Sequence, residues 1–257
     1  MKRVVILVYG VLCYAAFLFT FLYAIGFIGG FAVPKTIDSG ATTTWTTALA
    51  VDLGLLALFA IQHSVMARRW FKAAWTTVVP PAAERSTYTL FSSLALLALF
   101  MNWEPIGGVI WQLENRFMIM LAYGCYAFGI VLVLVTTFVI NHFDLFGLRQ
   151  VWIYFRKQEY KPVRFQTPAL YSVVRHPLYL GWLFTFWSTP TMTAAHLVFA
   201  IATTVYILMA IRWEEQDLLY AHGSAYREYR SQVPMILPIK LGKRVSPEVS
   251  DEFPVTP

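Results

Sequence analysis

Five short polar clusters interrupt or border an otherwise apolar chain, and each holds side chains capable of chemistry. The first is Arg175-His176-Pro177-Leu178-Tyr179-Leu180-Gly181. The residue before a proline is driven to extended backbone, and proline suits the first position of a helix, so a helix is expected to start at Pro177. The free N–H groups of such a start favour a carboxylate or a phosphate. Arg175 adds a permanent charge with a two-pronged donor edge, and Gly181 lets another backbone or a flat ligand approach closely. The second cluster is Arg212-Trp213-Glu214-Glu215-Gln216-Asp217, followed by Ala221-His222-Gly223, Tyr226 and Tyr229-Arg230. Adjacent glutamates diverge by about 100° on a helix. One can therefore pair with an arginine while the other accepts hydrogen bonds from a ribose or an amine.

The third cluster, Asn141-His142-Phe143-Asp144-Leu145-Phe146-Gly147-Leu148-Arg149-Gln150, combines a polar pair, aromatics and a glycine. That combination suits adenine or another flat ring, and it equally suits an interfacial turn anchored by aromatics. Gln62-His63-Ser64 is the fourth and Glu84-Arg85-Ser86-Thr87-Tyr88 the fifth. His63 is either a general base, since an imidazole titrates near neutrality, or a packed, hydrogen-bonded histidine. Glu84 and Arg85 read either as part of a site or as an ion pair at a helix start.

The elements that must position these groups follow from composition. The chain has 257 residues, 58% of them hydrophobic and only 13% charged, against about 25% charged in an ordinary soluble domain. A soluble enzyme and a disordered chain are both excluded. A helix needs about 20 apolar residues to cross a ~30 Å hydrocarbon core. Val4–Gly30, Thr46–Met66, Tyr88–Trp103 and Phe117–Ile140 are read as four spans, the first too long for a signal peptide. Leu178–Trp187 and His196–Ile211 follow as a helical hairpin with its tip at Pro190, where proline ends a helix. The fold class is all-α: a polytopic membrane bundle of four long spans plus a C-terminal hairpin. One domain is expected over residues 1–240, with a flexible cytoplasmic tail over 241–257.

Of the 20 Lys and Arg, all but Lys35 and Arg116 fall on the same side of these spans. The positive-inside rule then puts both termini in the cytoplasm, in the inner membrane if the cell is bacterial. It also accounts for the net charge of +6 without a nucleic-acid partner. Cys13 and Cys125 lie in apolar runs, so neither a disulfide framework nor a metal site is expected. No internal repeat is evident, which weighs against inverted-repeat transporters. All five clusters fall at one membrane face.

The run from Arg175 to Gly181, the hairpin, Glu214-Glu215 and the Tyr226/Tyr229 pair together resemble the C-terminal signature of the isoprenylcysteine carboxyl methyltransferase superfamily of integral-membrane enzymes. Tyr23–Phe27, Ile61–Arg68, Glu84–Tyr88 and Asn141–Leu148 resemble its bacterial branch that makes dimethyl sulfide from methanethiol and S-adenosylmethionine. The resemblance implies S-adenosylmethionine lined by Arg175, His176, Pro177, Tyr179, Leu180, Gly181, Glu214 or Glu215, and Tyr226. His142, Phe146 and Gln150 would cover the adenosine. S-adenosylhomocysteine would be the product, and a small apolar thiol arriving from the bilayer the acceptor. A lipid or prenylcysteine acceptor, or an NADPH-dependent reductase of the steroid-reductase type, are the alternatives. A thiol is mostly protonated at neutral pH, so His63 is the first candidate for general base. Arg85 would lower the thiol pKa, with Tyr88 as hydrogen-bonding partner. Glu215 with Arg212 is the second candidate pair.

Overall fold

The computed structural model describes residues 1–40, 43–161 and 169–238; the expected tail, 241–257, lies outside them. The elements run α1 (Lys2–Gly29), α2 (Trp45–Ala67), α3 (Arg69–Trp75), α4 (Pro81–Asn102), β1 (Val109–Gln112), α5 (Arg116–Ile140), α6 (His142–Leu145), α7 (Leu148–Phe155), a 3₁₀ turn (Ala169–Ser172), α8 (Pro177–Trp187), β2 (Thr191–Thr193) and α9 (Ala194–Gln232). Local chemistry marks the boundaries. The Asn115 side chain accepts from the Phe117 and Met118 N–H groups at the start of α5, satisfying donors that the helix leaves free. Pro81 and Pro177 open α4 and α8, where a missing N–H costs nothing. Gly30 closes α1 in the left-handed region at φ 75°.

α1, α2, α5 and α9 are each long and apolar enough to cross a membrane. The fold is thus an all-α polytopic membrane bundle. α4, the expected third span, is less apolar because it is the inner helix. It packs along α1 and α2 and buries Ser86, Thr87, Thr89, Ser92 and Ser93. Several of these hydroxyls donate to the carbonyl one turn back, as Thr89 does to Arg85 at 3.0 Å and Ser93 to Thr89 at 2.8 Å. That satisfies them away from water. The outer faces of α1 and α5 expose Leu12, Phe19, Phe128 and Phe138, as lipid contact requires.

At the bundle end remote from the basic loops, Phe27, Phe100, Trp103 and Phe199 form an aromatic core. Beside it β1 and β2 pair antiparallel, Gln112 opposite Thr191. This short ribbon ties the hairpin tip down. The hairpin itself differs from a pair of equal spans. With 11 residues, α8 is about 16 Å long and only half-crosses. It rests chiefly on α5, backbone to backbone, through Gly129 and Gly181. A Cβ on Gly181 would come within 2.8 Å of the Gly129 carbonyl oxygen and 2.9 Å of the Val133 nitrogen. Of the two sequence readings of Gly181, close backbone approach is the contact that forms. Gly181→Ala is expected to destabilise the protein by about 1–3 kcal/mol through overpacking, read as a lowered melting temperature in detergent. An unchanged melting point would contradict this crossing.

Candidate active site

The sequence around Arg175 and the sequence after α9 meet because α9 turns on itself. At Gly223 the backbone adopts φ 54°, ψ −120°, a conformation open essentially to glycine. Beyond that kink, Tyr229 donates to the Tyr171 carbonyl at 2.7 Å. The Arg175 and His176 N–H groups donate to the Pro234 and Met235 carbonyls at 2.9 and 3.1 Å. The start of α8 is thereby laced to the chain leaving α9.

Between them lies Glu215, with 8% of its side chain exposed. Arg175 donates from Nε to its Oε1 at 2.9 Å, with Nη2 at 2.8 Å from the same oxygen. His176, equally buried, places Nε2 3.1 Å from that oxygen. Arg230 lies 3.3 Å from Oε2. Arg175 also donates from Nη1 to the Arg230 and Val233 carbonyls. Glu215 is therefore the hub of a clasp, and Arg175 is committed to protein partners on both edges of its guanidinium. Tyr226, buried at 1% exposure, packs against Tyr229 within electrostatic reach of Glu215 and Arg175.

Glu214 lies on the other edge of the His176 ring, with Oε2 3.9 Å from Nδ1. Its carboxylate is 47% exposed and accepts from the Tyr179 hydroxyl at 3.0 Å. The predicted divergence of the two glutamates is realised: one holds the fold, the other is available. The expected pairing of Glu215 with Arg212 is not made. Arg212, one turn before Glu215, is exposed, and Glu215 is taken up by Arg175, His176 and Arg230.

His63 and Tyr88 come together from α2 and α4, the tyrosine hydroxyl 2.8 Å from Nε2. Ser92 lies 3.1 Å from Nδ1, and the Phe59 ring lies tilted against the imidazole at 5.1 Å. Arg85, half-buried one turn before Tyr88, acts electrostatically on Tyr88, on Lys72 and on Tyr160. Burial, and then the Arg85 charge, hold the Lys72 ammonium below its ordinary pKa.

The loop after α5 forms a second cluster, on the α1 side. His142 is wedged between the Tyr14 hydroxyl at 2.8 Å and Thr137 at 2.9 Å; burial lowers its pKa. Phe146 stacks on Phe17 at 3.7 Å, and Gln150 donates to the Asp144 carbonyl at 3.0 Å. These three side chains hold the loop, while Ser86 donates to the Gly147 carbonyl at 3.3 Å and joins it to α4. Pro177 is buried at the helix start and Leu180 is half-buried in the core.

Tyr206 of α9 went unremarked in the sequence because it sits inside an apolar run. Its hydroxyl is 3.1 Å from Ser64 Oγ, and its ring meets Phe59 edge to face at 6.2 Å. It thus ties α9 to the residue beside His63, two turns before Glu214 on the same helix. Its place eight residues before Glu214, near two helical turns, was the available signal. An open apolar groove over Val131, Leu134 and Phe138 and a small hollow around Gly29 and Thr189 lie away from these groups.

Fold and site together define a polytopic helical membrane protein with a polar constellation built at one end of its bundle. No family model matches the sequence, and no solved structure does. The chain is 56% identical over 244 residues to a methanethiol S-methyltransferase of Crocosphaera subtropica, covering 95% of each chain. It is 48% identical over 253 residues to methanethiol S-methyltransferase 2 of Bradyrhizobium diazoefficiens, covering 98% of this chain and 97% of that one. Human nurim is 30% identical over 219 residues, covering 78% and 82%. The chain belongs to the methanethiol S-methyltransferase family, and so to the membrane methyltransferases.

Proposed function

We propose that this protein methylates methanethiol to dimethyl sulfide with S-adenosylmethionine, at the cytoplasmic face of a bacterial inner membrane, with both termini in the cytoplasm. The observation that carries this reading is that α9 meets both pairs: Tyr206 bonds Ser64, next to His63 of the His63–Tyr88 pair, and two turns on Glu214 accepts from Tyr179. It unites groups suited to a thiol with groups suited to a polar donor, at the end of the bundle where the basic residues gather.

The residues fit such a donor. Glu214 offers a half-exposed carboxylate, already oriented by Tyr179, for ribose hydroxyls or an ammonium. Glu215 is the hub that holds the α8 start against α9, with Arg175, His176 and Arg230 around it. When bound, S-adenosylmethionine supplies an electrophilic methyl on a positive sulfur and leaves as S-adenosylhomocysteine. On the acceptor side, Tyr88 hands its proton to His63 Nε2 and takes the thiol proton, with Nδ1–H turned to Ser92. Arg85 stabilises the thiolate by its charge. Bringing anion and cation together is favoured where water is excluded, and an apolar thiol reaches such a site through lipid.

Thermal unfolding in detergent with S-adenosylhomocysteine or NADPH tests the reading, beside headspace detection of dimethyl sulfide from cells given methanethiol. A ligand at a hundred times its Kd stabilises by about 2.7 kcal/mol, so S-adenosylhomocysteine should raise the melting point and NADPH leave it unchanged. Stabilisation by NADPH alone, with no dimethyl sulfide formed, would replace this reading by a reductase.

A further inference from the structure

We infer that Ser92 is a positioning residue for the methyl transfer: it holds the proton of His63 on Nδ1, so that Nε2 is left open to accept from Tyr88. This rests on the methyl-transfer reading above. Tyr88 and Ser92 stand four residues apart on α4, hence on one face of that helix. From that face they reach both nitrogens of one imidazole, the Tyr88 oxygen 2.8 Å from Nε2 and the Ser92 oxygen 3.1 Å from Nδ1. Two tilted rings hem the imidazole in, Phe59 at 5.1 Å and Tyr88 at 5.0 Å between centroids. A neutral imidazole has one N–H and one lone pair, so one hydroxyl must donate to it and the other accept. A phenol titrates at about pH 10, far below an alkyl hydroxyl, and is therefore the better donor. The Tyr88 O–H takes the lone pair at Nε2, and Nδ1–H falls to the Ser92 oxygen. Ser92 can turn its own proton to the carbonyl one turn back, as Thr89 and Ser93 do.

That assignment sets the direction of proton travel. As the thiol S–H bond breaks toward the Tyr88 oxygen, the Tyr88 O–H bond breaks toward Nε2, and the imidazolium keeps its Nδ1–H on Ser92. The thiolate sulfur then bonds to the methyl carbon as the sulfonium bond to that carbon breaks, and His63 later returns its proton to water. Without Ser92, Nδ1–H would be left with no acceptor beside a buried position. The proton would shift to Nε2, where Tyr88 offers an oxygen lone pair, and the base would be switched off. Ser93 is the internal contrast. It is as well buried, 3% exposed against 9% for Ser92, yet its hydroxyl goes to the Thr89 carbonyl.

Turnover, affinity and tautomer are read on the full-length detergent-solubilised protein and on Ser92→Ala, Ser92→Thr and Ser93→Ala. Nitrogen NMR of histidine-labelled protein, with the His63 signals assigned by their loss in His63→Ala, separates Nδ1–H from Nε2–H. The wild type should show Nδ1–H. Ser92→Ala should show Nε2–H, with turnover lowered about 10- to 10³-fold, part of the about 10²–10⁴ that a general base supplies. Its affinity for S-adenosylhomocysteine should be unchanged, and its deficit should narrow as pH approaches the thiol's own pKa. Ser92→Thr keeps the hydroxyl and should restore the tautomer and most of the rate, while Ser93→Ala should match the wild type. An Nε2–H wild type overturns the inference even if no variant folds. So does a Ser92→Ala deficit that is constant with pH, or equalled by Ser93→Ala, since either reports packing of α4. Dimethyl sulfide formation by the wild type tests the parent reading separately: its absence sinks both, and its presence with the wrong tautomer sinks the role of Ser92 alone.

Discussion

Glu215→Ala is expected to lower the unfolding free energy by about 3–5 kcal/mol, the cost of removing one partner from a buried ion pair, and to abolish binding of S-adenosylhomocysteine. The side chains of Glu215 and Arg175 are 8% and 9% exposed, so solvent cannot replace the lost carboxylate. Arg175, His176 and Arg230 would be left facing one another. Without the hub, the α8 start would keep the Pro234 and Met235 carbonyls, the Arg175 Nη1 bonds and the Tyr179–Glu214 bond, but no buried ion pair. Glu215→Gln keeps the acceptor oxygen but not the charge, and should fall between. Arg212→Ala, at an exposed position, should leave the melting point within experimental error. Thermal unfolding in detergent and calorimetric titration read both effects. A Glu215→Ala protein with the parental melting temperature would dismiss the clasp as a stabilising element.

His63→Ala is expected to lower turnover by about 10²–10⁴-fold, the usual worth of a general base, while leaving S-adenosylhomocysteine affinity unchanged. The histidine lies on the acceptor side and has both ring nitrogens engaged, by Tyr88 and Ser92. Its proton traffic therefore runs through the Tyr88 hydroxyl, and Tyr88→Phe should reproduce most of the loss. Rates measured at rising pH supply a second readout. If the missing function is thiol deprotonation, the His63→Ala deficit narrows as pH approaches the thiol's own pKa. A variant with full activity at neutral pH would mean that alignment of the two sulfurs, worth about 7–11 kcal/mol on its own, carries the reaction without a base.

The placement of Arg175 alters what its replacement would mean. The family resemblance counts it among the residues lining the donor, at a helix start that favours an anion. In the folded chain Glu215 already occupies that guanidinium. Loss of ligand binding in an Arg175 variant would then report a broken clasp, not a missing contact. The loop at His142 is held likewise: its imidazole lies between Tyr14 and Thr137.

Much of the architecture was legible in the sequence because its causes are local. Apolar runs of span length dictate helices in lipid, where every backbone group must be satisfied within its own segment. Pro177 marks the start of α8, and the diverging glutamates follow from helix geometry alone. The methyltransferase signature is likewise a contiguous string of residues. Other features needed the tertiary structure, because they depend on how one helix is rotated and shifted against another. Ser64 and Tyr206 are 142 positions apart, and Arg175 and Glu215 40. The choice of Glu215 as hub, the half-length of α8, the use of Gly181 against Gly129 and the recruitment of Tyr206 all come from such pairings. Side-chain volumes and the few available hydrogen-bond partners select them across the whole bundle at once. No window of sequence contains both members, so composition and spacing leave these choices to packing.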